Sequence, residues 1–336
     1  MQNTQHFIKT EAQLRQLIPA YPKLLDKRIQ PQLDHYSLEF IELSQLAILY
    51  IHTQEADCSS FYYLSPEQWK VQSPHQLALP TLVTSPAQAS MLFLIPGIDH
   101  LLRINGVLEA HSSHHTGSNR LKINQVYFHC GRAAMRSELW SVNNLPTQAI
   151  NKSETLNINQ FCQQARYALL ATSGSSNTQQ APLLSPRGEP QGMFCLRDDN
   201  TLIIPDRPGN KIAASLRNLL DNPVIKVLLM IPGRPEVLEV HGNAYLSHDP
   251  DLLANTETQG KQARLAIVVD IDWYQIRVDE NLQQEDIWNK QKQRNKNELT
   301  SFSKALSAHI NGTGLMGKMT HLVVDQVVKK DAKNLY

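Results

Sequence analysis

The sequence predicts a mainly β, α+β fold made of two tandem copies of one small barrel domain. Two observations carry most of that prediction: a gapless internal repeat and the dominance of short strand-turn-strand patterns over helices in both halves. The length, 336 residues, suits two domains that each bury a core.

The repeat is clearest where residues 92–106, LFLIPGIDHLLRING, align on residues 228–242, LLMIPGRPEVLEVHG, at a constant offset of 136. Leu92, Ile95, Pro96, Gly97, Leu102 and Gly106 meet their own kind at Leu228, Ile231, Pro232, Gly233, Leu238 and Gly242. Each copy reads as an apolar strand, a Pro-Gly turn and an alternating strand, which is a β-hairpin. Upstream, SQLAILYIHT at 44–53 resembles ARYALLATSG at 165–174, and each runs on to Leu-Ser-Pro, at 64–66 and 184–186. Downstream, residues 123–140 and 271–288 match in length, with Ile first and Trp last. The polar, turn-rich stretch around residue 150 is the expected boundary, giving a diverged domain over 1–150 and a second over 151–336.

In the second copy, a hairpin over 195–205 turns at Asp198-Asp199-Asn200. A helix follows, capped by Asn210, carried by IAASLRNLL and stopped by Asp221-Asn222-Pro223. The chain ends in a helical tail that opens with a basic, polar run, read as solvated helix. There is no GxGxxG or GxxxxGK[ST], which argues against Rossmann and P-loop sites.

With 32 Lys plus Arg against 31 Asp plus Glu, no broad basic field exists to hold nucleic acid or an anionic membrane. No apolar run approaches the ~20 residues needed to span a bilayer, and the N-terminus lacks a secretory apolar segment. A cytoplasmic protein is expected. Cys58, Cys130, Cys162 and Cys195 are scattered without metal spacing, and His111, His114 and His115 sit in a loop-like Ser/Gly/Asn context. No metal is expected.

The chemistry concentrates in two turns. Residues 204–218, IPDRPGNKIAASLRN, place Asp206, Arg207, Asn210 and Lys211 between a strand and a helix start. A phosphomonoester wants several donors converging on one point, which cations and a helix's first amides supply. Residues 183–192, LLSPRGEPQG, add Ser185 and Arg187 after another strand.

The ordered set SPRG, hairpin, IPDRPGNK, SLRN with a following NP, and a strand ending in IPG resembles the pyridoxamine 5′-phosphate oxidase-like flavoproteins, over about residues 160–280. The resemblance implies tandem FMN-binding split β-barrels forming an intrachain pseudo-dimer, with FMN as cofactor. By position, Lys211 matches the lysine of the family's phosphate motif, while Asn210 stands where an arginine is usual. The family's HCxxxxxRSxLW segment resembles residues 129–140, which hold His129, Arg132, Arg136 and Trp140. The second copy keeps Ser185, Arg187, Arg207 and Lys211 but has RVDENLQQEDIW instead of that segment. The first copy keeps His129, Arg132 and Arg136 but places Glu67 opposite Arg187 and has no DRPGNK.

These complementary losses imply one composite site per chain, built from both copies. The expected function is an FMN-dependent oxidoreductase acting with a small-molecule substrate or electron donor, as an intrachain pseudo-dimer or a homodimer of such chains. The alternative is a non-catalytic flavin- or haem-related binding protein on the same fold. No catalytic acid or base is identifiable, His129 being favoured only for the range in which imidazole titrates.

Overall fold

The computed structural model describes residues 4–53, 60–111, 118–141, 156–174, 182–209 and 211–336. Cys58, His114, His115, Asn210 and the expected boundary near 150 lie outside these residues. The chain is mostly β with helices. A short strand β1 (Phe7–Ile8) precedes two seven-strand sets. The first holds β2 (Leu46–His52), β3 (Ser60–Leu64), β4 (Lys70–Ser73), β5 (Gln76–Pro80), β6 (Ala87–Leu94), β7 (Leu101–His111) and β8 (Ser118–His129). The second holds β9 (Tyr167–Thr172), β10 (Leu183–Gly188), β11 (Cys195–Asp198), β12 (Thr201–Asp206), β13 (Val224–Met230), β14 (Glu236–Ser247) and β15 (Leu265–Val278).

The first sheet runs β3-β2-β6-β7-β8-β5-β4 and the second β10-β9-β13-β14-β15-β12-β11, with β1 added to β14. Adding seven to each strand number of the first order gives the second. These are two split barrels of one topology. Alternation along the strands sends one face of each sheet inward. Leu49, Met91, Phe93, Ile104 and Leu121 fill the first core, and Leu170, Val227, Leu229, Val240 and Ile267 the second.

The register agrees with the repeat at its hairpins. The turn amides of Ile98 and Arg234 each donate to the carbonyl three residues back, Ile95 and Ile231, at 3.0 Å. Gly106 pairs with Ile123 at a bulge, and Gly242 pairs with Ile271 at another. A Cβ at either glycine would collide with a carbonyl of the neighbouring strand, Lys122 or Asp270. The Leu-Ser-Pro alignment is corrected. Ile48 pairs with Leu92 and Leu169 with Leu228, making Ile48 and Leu169 equivalent. Their other partners are Tyr63 and Pro186. Leu64 is therefore the counterpart of Arg187, and Glu67 lies three residues beyond it. Identical tripeptides misled the alignment because strand register is set by cross-strand pairing.

The helix expected to begin at Asn210 starts later, spanning Ala214–Asp221, with Ala213 at its N-cap in the left-handed region and no side-chain cap.

The compact units are not contiguous halves. One comprises 1–22, 132–278 and 334–336, and the other 23–131 and 279–333. After its last strand, each copy sends a helical segment to the unit holding the other copy's barrel. Arg132–Arg136 packs by β10, and Glu280–Glu285 by β3, where the Asn281 amide donates to the Tyr63 carbonyl at 2.6 Å. A cut at 150 misses this, because chain order carries no record of which barrel a segment buries against. Helices Phe302–Asn311 and Leu315–Lys333 fall in the unit of the first barrel, and Ala305 of the earlier helix is buried in that barrel's core, so the stretch read as a solvated tail of the second domain is partly core. No helix among the described residues is long and apolar enough to cross a membrane.

Candidate functional site

The unit containing β9–β15 gathers charged groups where β10 and β12 end. Arg207, just after β12, donates through Nε to both carboxylate oxygens of Glu189, at 2.9 and 3.1 Å. Both side chains are only 2% exposed. Its Nη1 reaches the Lys261 carbonyl at 3.2 Å, and its Nη2 the Thr256 carbonyl at 2.7 Å and Thr258 Oγ1 at 3.1 Å. The guanidinium is committed to a clasp joining the end of β12, the SPRG turn and the 256–261 turn. This corrects the expectation that Arg207 points at an exogenous phosphate. The reason is Glu189, which directly follows SPRG in the sequence but meets Arg207 only in three dimensions.

Arg187 behaves differently. It faces Asp206 at 3.3 Å and donates to Ser215 Oγ at 2.9 Å. Its Nε is buried without a hydrogen-bond partner. Ser215 belongs to the first turn of the helix Ala214–Asp221. The first amides of a helix lack intrahelical partners, and here the N-cap side chain offers none. Burial raises the Asp206 carboxyl, while Arg187, Arg136 and Arg207 pull it down. Burial pushes Glu189 up to about 7, against Arg207 and Arg136.

The helix Arg132–Arg136 adds two buried arginines. Its approach depends on Gly188, where a Cβ would overlap the Ala133 carbonyl. Arg136 donates to the Pro208 carbonyl, within the DRPGNK segment, and at 2.6 Å to the Leu335 carbonyl. Arg132 donates to the Asn334 carbonyl. The Tyr336 ring lies under the guanidinium groups of Arg207 and Arg136, at 5.3 and 5.8 Å from its centroid. Lys261 Nζ reaches the Tyr336 carbonyl at 2.8 Å.

Of the residues singled out in the sequence, Arg132, Arg136, Arg187, Asp206 and Arg207 come together here. Ser185 is buried on β10 beside them in sequence. Lys211 is exposed in a left-handed conformation, its carbonyl taken by Arg15 at 2.9 Å. It is not part of the clasp. Asn210 lies outside the described residues. His129 belongs to the other unit, its ring 5.1 Å from that of Tyr127. Sequence reasoning missed Glu189, Ser215, Lys261 and Tyr336. For Glu189 the signal was its place beside SPRG; for Tyr336 there was none.

The model of the pyridoxamine 5′-phosphate oxidase family matches residues 155–283. That segment is a pyridoxamine 5′-phosphate oxidase-family domain. The match covers the second barrel and leaves the first outside it. No curated protein is detectably similar to the chain. Among solved structures, HupZ of Group A Streptococcus is 14% identical with a TM-score of 0.29, covering 35% of this chain and 92% of its own. General stress protein 26 of Bacillus anthracis is 20% identical with a TM-score of 0.25, covering 34% and 87%.

The oxidase-family domain fits a phosphate-bearing flavin at one point and not at another. Arg187, with its unpartnered Nε, Ser215 and the uncapped helix start suit an oxyanion. Arg207, saturated by Glu189 and three further oxygen acceptors, does not.

Proposed function

We propose that the chain is an FMN-binding flavoprotein and an FMN-dependent oxidoreductase related to pyridoxamine 5′-phosphate oxidase, acting on a small-molecule substrate in the cytoplasm. The observation that carries this reading is Arg187, whose buried Nε has no partner within the oxidase-family domain. A phosphate at the first turn of Ala214–Asp221 would satisfy it together with Ser215 and the free helix amides. Asp206 holds Arg187 in place from behind. The Arg207–Glu189 clasp fixes the two turns that present these groups, and so positions the site without touching the ligand. Bound FMN would supply N5 as the hydride acceptor or donor; the residues named here bind and orient it.

The experiment is titration of the purified protein with FMN, followed by flavin fluorescence and absorbance. Binding of one flavin per chain is expected, because only one copy carries this arginine; its counterpart in the first barrel is Leu64. Arg187→Ala removes a charge-assisted bond of roughly 1.5–3 kcal/mol, about ten- to a hundredfold in affinity. An unchanged dissociation constant would move the phosphate elsewhere.

A further inference from the structure

We propose that Arg15 is a positioning residue for the phosphate site, holding the first turn of the helix Ala214–Asp221 open to an anion. It does so from outside the ligand contacts, by taking two backbone carbonyls that a longer helix would use. The inference rests on the flavin reading and adds a conformational control to it.

Two non-glycine residues just before the helix, Lys211 and Ala213, stand in the left-handed region at φ 62° and 55°. That conformation is costly for any residue with a Cβ. The sequence favours a helix one turn longer, IAASLRNLL capped by Asn210, and Lys and Ala are both good helix formers. Something must hold the shorter form. Arg15 Nη1 donates to the Lys211 carbonyl at 2.9 Å, and Nη2 to the Ile212 carbonyl at 3.4 Å. In the longer helix those carbonyls would accept from the amides four residues on, Ser215 and Leu216. The helix opens instead with the bond from the Arg217 amide to the Ala213 carbonyl, at 2.9 Å. The Ser215 and Leu216 amides therefore stay available at the turn where the Ser215 hydroxyl meets Arg187.

Arg15 is itself well anchored. It lies on the helix Glu11–Leu17, which starts at a Thr10–Gln13 capping box. Its neighbour Leu14 is fully buried in the core of the second barrel. Glu11 accepts from Arg15 Nε and Nη2 at 3.2 Å each, which orients the guanidinium. On either side, β1 pairs with β14 and Arg264 donates to the Leu17 carbonyl at 3.1 Å. Arg15, Arg187 and Ser215 belong to one compact unit. Removing Arg15 shifts the helix start toward the longer form, whose amides are satisfied internally. If only about a tenth of the molecules stay open, the apparent dissociation constant of the anion rises about tenfold.

The test compares the full chain with Arg15→Ala and with the double variant Arg15→Ala, Ala213→Gly, each checked for folding by circular dichroism. Hydrogen exchange of the Ser215 and Leu216 amides is followed at residue resolution, and FMN is titrated. Arg15→Ala is expected to slow exchange of both amides and to weaken FMN binding about tenfold. Glycine at 213 favours the left-handed conformation and disfavours helix, so the double variant is expected to return both readouts toward those of the full chain. A merely structural Arg15 would loosen the segment on removal. Unchanged or faster exchange in Arg15→Ala therefore overturns the inference, whatever the affinity does. Slowed exchange with unaltered affinity also overturns it and leaves the flavin reading standing. If none of the proteins binds FMN, the flavin reading is rejected, and slowed exchange still supports the part of Arg15 in setting the helix start. Should Arg15→Ala fail to fold, Arg15→Gln, which keeps a donor for one carbonyl, carries the same comparison.

Discussion

Glu189 and Arg207 are 18 residues apart in sequence and form one buried unit, with every polar atom of the guanidinium engaged. Removing one member of such a pair leaves the other charge uncompensated, typically at a cost of about 3–5 kcal/mol. Arg207→Ala is therefore expected to lower the urea midpoint at pH 8 strongly. A loss within experimental error would show that the clasp does not hold the fold. The pair also makes stability depend on pH. Burial raises the Glu189 carboxyl to about 7, whereas an unfolded glutamate releases its proton near ~4.3. The folded chain holds that proton more tightly, so this contribution is complete below about pH 4, declines as pH rises, and is gone above about 7. Glu189→Gln should flatten this part of the profile when urea midpoints are measured from pH 4.5 to 7.5. Parallel profiles for the two proteins would remove Glu189 as the source.

The element that brings two distant motifs together is a five-residue helix lying on one glycine. Arg132–Arg136 rests with the Ala133 carbonyl against Gly188 of the SPRG turn. Any side chain there forces backbone to move, unlike a change that a flexible side chain could absorb. Gly188→Ala should lower the melting temperature by several degrees, as expected for a destabilisation of about 1–3 kcal/mol. It should also weaken FMN binding, since the forced backbone shift falls on the residue next to Arg187. A variant with unaltered melting and affinity would mean that the contact is dispensable. The bulge glycines Gly106 and Gly242 show the same logic duplicated, each facing a carbonyl of the next strand. The repeat shows that the two glycines recur, but each strand runs on past its glycine, and the place of both at a bulge comes from the strand pairing. The place of Arg187 in that repeat was misread, because Leu-Ser-Pro recurs three residues out of structural register.

At the scale of the molecule, one strand order repeated twice indicates duplication, while the units interleave the chain. The first 22 residues and the segment from Arg132 onward belong with the second barrel, and residues 279–333 with the first. The sequence alone determined the mainly β character, the two copies, their hairpins, and the family resemblance over about residues 160–280. These depend on local pattern and turn chemistry, which neighbouring residues encode. Only the tertiary structure decided which cation is consumed, which remains available and what lies against it. Glu189 neutralises Arg207, Ser215 and Asp206 frame Arg187, and the tail meets Arg132 and Arg136. Those outcomes depend on electrostatic pairing between residues up to two hundred positions apart, and a charge in a sequence does not state its partner.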